Sequence, residues 1–409
     1  LLPVIGAYAL ILHVMQKRSK TFQYFLCHHK AAAGAFARLL KMTLSRMGVT
    51  VFVDCDNLTD LDMLFDLVGN QTETLVVLCT RELCVRPWCM GEIVTAKAKS
   101  LQIVRLAFPD FLEPSDGFIS DYESHIQDLS VLSEQGCSLA EAQDALRWIR
   151  EQRVVAVEPD FSDHDLRALV RNVLNKVDSD RPPNVSEKTD ADDPPLENLP
   201  SDKPPDPPMA RSRSRANSLT SRSTKRSSAA SETASKTLIV HDRSSTEAIA
   251  SAMVLAELLC SHLHDSTQQI PLLLENGAPV PNTTANIILL CTLGALEQEN
   301  IFRSLFSAME MTSVRYLPVV ASDSFRFPNA SFLDEHMRLA GLVTSDGEKA
   351  EELCKHIRRI FLTVGVAFDA TMSSATVLDT AAGVVANRLM TTTHRSSSTS
   401  GMSSVRTEC

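Results

Sequence analysis

Two side chains at helical spacing offer the clearest chemistry in this sequence. Trp88 and Glu92 lie in the segment Arg86-Pro87-Trp88-Cys89-Met90-Gly91-Glu92-Ile93, and residues four apart share one face of a helix. A carboxylate beside an aromatic ring, near the carboxyl end of a strand, can bind or cleave a ligand. The plainer alternatives are an indole that anchors its own helix and a glutamate that answers the helix dipole. Cys89 has no base partner in sequence and reads as a structural thiol.

A second group follows the apolar run Tyr24–Cys27: His28, His29 and Lys30. A third, Asp54 and Asp56, flanks Cys55 after Val51-Phe52-Val53. Ligands of open parallel sheets bind beyond the carboxyl ends of the strands, which is where His28, Asp54 and Thr80 fall. Lys30 or His29 would meet a phosphate or ribose there. No third ligand accompanies His28 and His29 at a suitable spacing, so no metal site is expected. Glycine-rich dinucleotide and P-loop motifs are absent. A phospho-accepting receiver domain is disfavoured, because His28 and His29 stand where receivers carry paired acids after the first strand.

Parallel strands must carry these groups. Over 22–177 the apolar runs Tyr24–Cys27, Val49–Asp54, Thr74–Thr80 and Ile103–Phe108 alternate with amphipathic stretches such as Ala31–Met47 and Trp88–Ala98. Fully apolar strands alternating with helices predict a parallel sheet covered on both faces. Pro87 suits the first turn of the helix that bears Trp88 and Glu92.

The chain has 409 residues, which predicts two domains with a connection. Residues 178–236 are rich first in Pro and acid, then in Arg and Ser, and are expected to be a disordered linker. Residues 237–370 repeat the earlier rhythm, with Leu290-Cys291-Thr292 answering Leu78-Cys79-Thr80. An overlay of Thr80 on Thr292 sets Asn300 opposite Trp88 and Ser304 opposite Glu92, so the second copy lacks both opening residues. Residues 371–409 are expected to be a Ser/Thr-rich tail.

Residues 1–20 read as the end of a transmembrane helix with a basic flank, Lys17, Arg18 and Lys20, or as an N-terminal packing segment. The first reading tethers the following domains to a membrane on its cytoplasmic side. A net charge of −10 argues against nucleic acid as partner. Ten scattered cysteines without a CxxC pair suit reduced thiols in the cytoplasm.

Three blocks of the first domain resemble the Toll/interleukin-1 receptor (TIR) family. They are Tyr24-Phe25-Leu26-Cys27-His28-His29-Lys30, Val51-Phe52-Val53-Asp54-Cys55-Asp56-Asn57-Leu58 and Trp88-Cys89-Met90-Gly91-Glu92-Ile93. The resemblance implies an α/β, flavodoxin-like, parallel five-stranded sheet over 22–177. The second domain resembles a degenerate TIR-like copy of it. By the same resemblance Glu92 would be the catalytic residue of NAD hydrolysis, with NAD a substrate rather than a bound cofactor. His28, His29, Lys30, Asp54, Leu58 and Trp88 would shape the substrate pocket. Asp56, Asn57, Leu58 and Asp60 would form a self-association loop, making other TIR domains or further copies of this chain the partners. One carboxylate suffices for such chemistry: nicotinamide leaves a cationic pyridinium as a neutral molecule, so the second carboxyl of most glycosidases has no task. The rival expectation is a non-catalytic adaptor that acts through TIR–TIR contact.

Overall fold

The computed structural model of the chain describes residues 20–57, 63–179, 236–263, 271–274, 278–311, 314–329 and 331–390. The expected linker falls almost wholly outside these residues, as do residues 1–19 and the chain beyond 390. No helix among the described residues is long and apolar enough to cross a membrane.

The first domain runs β1 (Phe22–Cys27), α1 (Lys30–Arg46), β2 (Val51–Phe52), the single turn α2 (Asp54–Asn57), α3 (Leu64–Gln71), β3 (Thr72–Cys79), α4 (Pro87–Ala98) and β4 (Gln102–Ala107). Then come α5 (Asp116–Ser120), α6 (Tyr122–His125), α7 (Leu129–Glu134), α8 (Leu139–Glu151), β5 (Val154–Ala156) and α9 (Asp163–Ser179). All strand pairs are parallel, in the order β2-β1-β3-β4-β5. This is the flavodoxin-like order, with its switch point between β1 and β3.

The second domain runs β6 (Lys236–Val240), α10 (Thr246–His262), β7 (Leu272–Leu273), β8 (Thr284–Cys291), α11 (Glu299–Met309), β9 (Arg315–Val320), α12 (Phe332–Val343), α13 (Gly347–Ile360), β10 (Val366–Ala367) and α14 (Ala375–Met390). Read from β7, its parallel order is β7-β6-β8-β9-β10, the topology of the first sheet. The repeat extends to single hydrogen bonds. Phe108 N–H donates to Cys79 O at 3.0 Å, and Ala321 N–H to Cys291 O at 2.9 Å; Val157 N–H donates to Ala107 O, and Phe368 N–H to Val320 O.

Strand alternation sorts the core. Phe25, Cys27, Leu75 and Val77 pack beneath α4 and α8, while Leu26, Val76 and Leu78 face α1 and α9. α1 and α10 pack together, so one apolar core runs through both domains: Phe36, Leu39 and Leu40 share it with Ile249, Leu255 and Leu259. Polar links reinforce this docking. At Ala33 (φ −148°, ψ 20°) α1 leaves helical geometry. The Glu247 carboxyl, from α10, accepts from Ala35 N–H at 2.8 Å and Phe36 N–H at 3.0 Å. It thereby serves donors of the kind a helix start leaves open. Arg38, 3% exposed, donates to Ala370 O at 3.0 Å and to both Asp56 oxygens.

The expected tail begins too early. α14 lies inside residues 371–409 and buries Leu378, Ala382, Val385, Ala386 and Leu389 in the shared core. Its apolar positions keep helical spacing, which outweighs the Ser and Thr around them.

Candidate functional site

The carboxyl ends of β1 and β2 bring His28, Lys30, Asp54 and Glu92 into one cluster, because both strands end at one edge and α4 crosses beneath it. Pro87 occupies the first turn of α4. The helix then turns Glu92 inward, where it is 7% exposed. Its environment is apolar and sulfur-lined. Cys27 Sγ lies 3.7 Å from Cys89 O, and Cys89 Sγ lies 3.4 Å from His28 O. Burial pushes the Glu92 carboxyl up to about 8, with Asp54 adding to the rise while the Cys27 thiol and Lys30 oppose it. Glu92 is therefore mostly neutral at pH 7, and its Oε2 has no hydrogen-bond partner. The Cys27 thiol is also raised well above its ordinary value, chiefly by burial.

Asp54 caps this cluster. Lys30 Nζ meets its Oδ2 at 3.0 Å. His28 Nε2 lies 3.9 Å from Oδ1, too far for a hydrogen bond. Burial lowers the His28 pKa, so the ring is neutral, and Nδ1–H donates to Leu26 O at 2.9 Å. His29 turns instead toward Glu82, and burial followed by the Arg86 charge lowers its pKa.

Trp88 is half-buried and faces a different neighbour. Its ring lies 5.7 Å from that of Phe65, on α3. A Cβ at Gly91 would stand 2.2 Å from Phe65 Cζ, so only glycine lets α3 press its ring onto α4. Trp88 and Phe65 thus clamp two helices, and the indole is already occupied by that packing.

Asp56 is engaged within the chain. It receives Arg38 at 3.0 and 3.1 Å, Lys41 at 2.9 Å and Ala375 N–H at 3.0 Å. Burial would raise its carboxyl, but Lys41 and Arg38 outweigh that and hold it below its ordinary value. Leu58 and Asp60 lie outside the described residues, and of Asn57 only the backbone is described.

Two features escaped the sequence reading. One is a cavity of about 510 Å3 in the second domain, lined by His241, Arg243, Asn300, Arg303 and Ser304 among others. The other is a cavity of about 710 Å3 between the carboxyl edges of the two sheets, with Ser244, Glu247, Thr292 and Asp369 in its wall. Neither takes a wall from Glu92 or Trp88. The signal for the first was present: His241 follows β6 as His28 follows β1.

No protein-family model matches the chain, and no curated protein matches it. Among solved structures, it is similar to the TIR domains in the structure of the activated Roq1 resistosome directly recognizing the pathogen effector XopQ. That match has 14% identity and a TM-score of 0.30, covering 38% of this chain and 99% of that one. The chain is also similar to the glycotransferase of kitacinnamycin, with 11% identity and a TM-score of 0.24 over 91% of this chain and 98% of that one. Likenesses this distant assign neither fold nor activity; the α/β architecture rests on the strand order itself.

Proposed function

We propose that the chain is a TIR-like signalling protein whose first domain cleaves NAD to nicotinamide and an ADP-ribose product through Glu92 when copies assemble. The observation that carries this reading is the Glu92 carboxyl, buried, neutral and with an unpaired oxygen beneath Lys30, Asp54 and His28. A buried polar atom without a partner costs stability. Strongly perturbed groups of this kind cluster at functional sites. As the carboxylate, Glu92 would stabilise the oxocarbenium-like ribosyl centre, and the departing neutral nicotinamide needs no proton. Access requires the Lys30–Asp54 pair to move aside, which is the role left to assembly. A cationic pyridinium over Glu92 would favour its ionised form.

A second reading, an adaptor that works by association alone, is favoured by the depth of Glu92 and by Trp88 being spent on Phe65. One experiment separates the two. The full chain is incubated with NAD at high concentration, and nicotinamide release and oligomeric state are both measured. Release that disappears in Glu92→Gln and Glu92→Ala supports catalysis. Assembly without release, or release unchanged in Glu92→Gln, overturns it.

A further inference from the structure

We infer that the second domain carries a ligand site for a small phosphate monoester with an apolar or aromatic body, in the cavity between the carboxyl end of β6 and the first turns of α11. The cavity is about 510 Å3, within the range of small-molecule sites. It exists because the second copy has lost a part. In the first domain, α3 lies between β2 and β3 and lays Phe65 against Gly91 of α4. Among the described residues no helix lies between β7 and β8. The overlay of Thr80 on Thr292 sets Arg303 at the position of Gly91. Where the first copy fills the groove with a phenyl ring, the second leaves it open and lines it with a guanidinium.

The lining is built for a mixed ligand. Leu274, Pro279 and Val280 give an apolar wall, while Arg243 and Arg303 offer the charge and planar donors that suit phosphate. Glu299 offsets much of this, because it accepts from Arg303 Nε at 2.7 Å and also pairs with Nη2, which donates to Leu342 O at 3.3 Å. Arg243 is held by Asp160 and Leu274 O, yet its Nε has no partner. The independent sign of a ligand is His241. It is 2% exposed, lines the cavity, and has an Nε2 that nothing in the protein satisfies. Burial, then the Arg243 charge, brings its pKa down to about 4, so the ring is neutral. A neutral imidazole presents one donor and one acceptor, which a ligand hydroxyl can meet.

Asn300 and Ser304 do not quench this histidine. Asn300 Nδ2 donates to the His241 carbonyl at 3.3 Å, and Ser304 Oγ donates to Asn300 O at 2.8 Å. With Ser304 in place of Glu92 the cavity has no carboxylate at that position, so the site binds and does not cleave.

Calorimetric titration of the full chain with AMP, adenosine and inorganic phosphate tests this. AMP should bind saturably, and adenosine and phosphate at least about tenfold more weakly, since each supplies half of the complement. Arg303→Ala, at a side chain 56% exposed and so safe for folding, should weaken AMP by about tenfold. His241→Phe should abolish binding, which places the site in the second domain. No AMP binding, binding equal to that of phosphate alone, or binding indifferent to Arg303→Ala overturns the proposal.

Discussion

Replacing Glu92 by Gln should make the first domain more stable than the native chain at alkaline pH, and leave it nearly unchanged at acid pH. The folded carboxyl titrates at about 8 against an ordinary 4.5. Between those values the folded state keeps a proton that the unfolded chain has lost. The unfolded state then binds fewer protons, so stability falls as pH rises from about 4.5, and the loss is complete once pH passes about 8. At 1.36 kcal/mol per pH unit the ceiling is about 4–5 kcal/mol. Water entry and local relaxation relieve part of that burial, so about 2–4 kcal/mol is expected at pH 9. Gln has nearly the same shape and does not ionise, so its variant lacks this slope. Glu247, raised to about 7, titrates in both proteins and cancels in the difference. The assay is urea unfolding at pH 5, 7 and 9, followed by tryptophan fluorescence. The chain has two tryptophans, Trp88 and Trp148, both in the first domain, so the signal reports that domain alone. A stability difference between the two proteins that does not change with pH would refute the reasoning, because it would mean Glu92 is ionised and solvated throughout.

Two further outcomes test how the helices are joined. Gly91→Ala drives a methyl into the Phe65 ring and should cost about 1–3 kcal/mol in the same fluorescence assay. Adding Phe65→Ala should make that methyl harmless, and a full penalty in the double variant would show that the close approach is not the cause. Glu247→Ala removes the acceptor of Ala35 and Phe36 and should cost about 1–3 kcal/mol. It should also split the fluorescence transition from the whole-chain circular-dichroism transition, whereas coincident and unshifted curves would refute a role in docking.

The strands that carry the site were legible because each is an apolar run ending in polar residues. Tyr24–Cys27 and Thr74–Thr80 fall within or across β1 and β3, and Leu290-Cys291-Thr292 marks the end of β8. Pro87 marks the start of α4. Two outer strands were harder: β5 (Val154–Ala156) and β10 (Val366–Ala367) are apolar but only three and two residues long, too short to show a period. The gathering of His28, Lys30, Asp54 and Glu92 followed from strand ends sharing one edge. Whether Glu92 is open or closed did not, because its burial comes with Cys27, Asp54 and Lys30, which meet α4 only in three dimensions. The same limit hid the docking. Glu247 reads in sequence as a first-turn acid answering its own helix dipole, and nothing local says that it caps α1 instead.

The divergence of the two copies bears on what Trp88 and Glu92 are for. If the pair were only packing, its loss in the second copy should be repaired by other side chains filling the same volume. It is not repaired. Asn300 and Ser304 turn to backbone carbonyls within reach, at 3.3 and 2.8 Å, and do not fill the adjoining cavity of about 510 Å3, beside a histidine whose Nε2 stays unpaired. Maintaining such a void costs packing energy, and the orphaned imidazole nitrogen adds a desolvation penalty. The first copy carries the opposite strain, an acid with an unpaired oxygen under a closed surface. Packing alone would remove both defects with ordinary substitutions, Glu92→Leu in one domain and His241→Leu in the other. Each defect sits at the end of the first strand and the start of the helix after the third, the ligand-binding edge of this topology. The two proposed roles, NAD cleavage in the first domain and ligand binding in the second, would both sit at that edge.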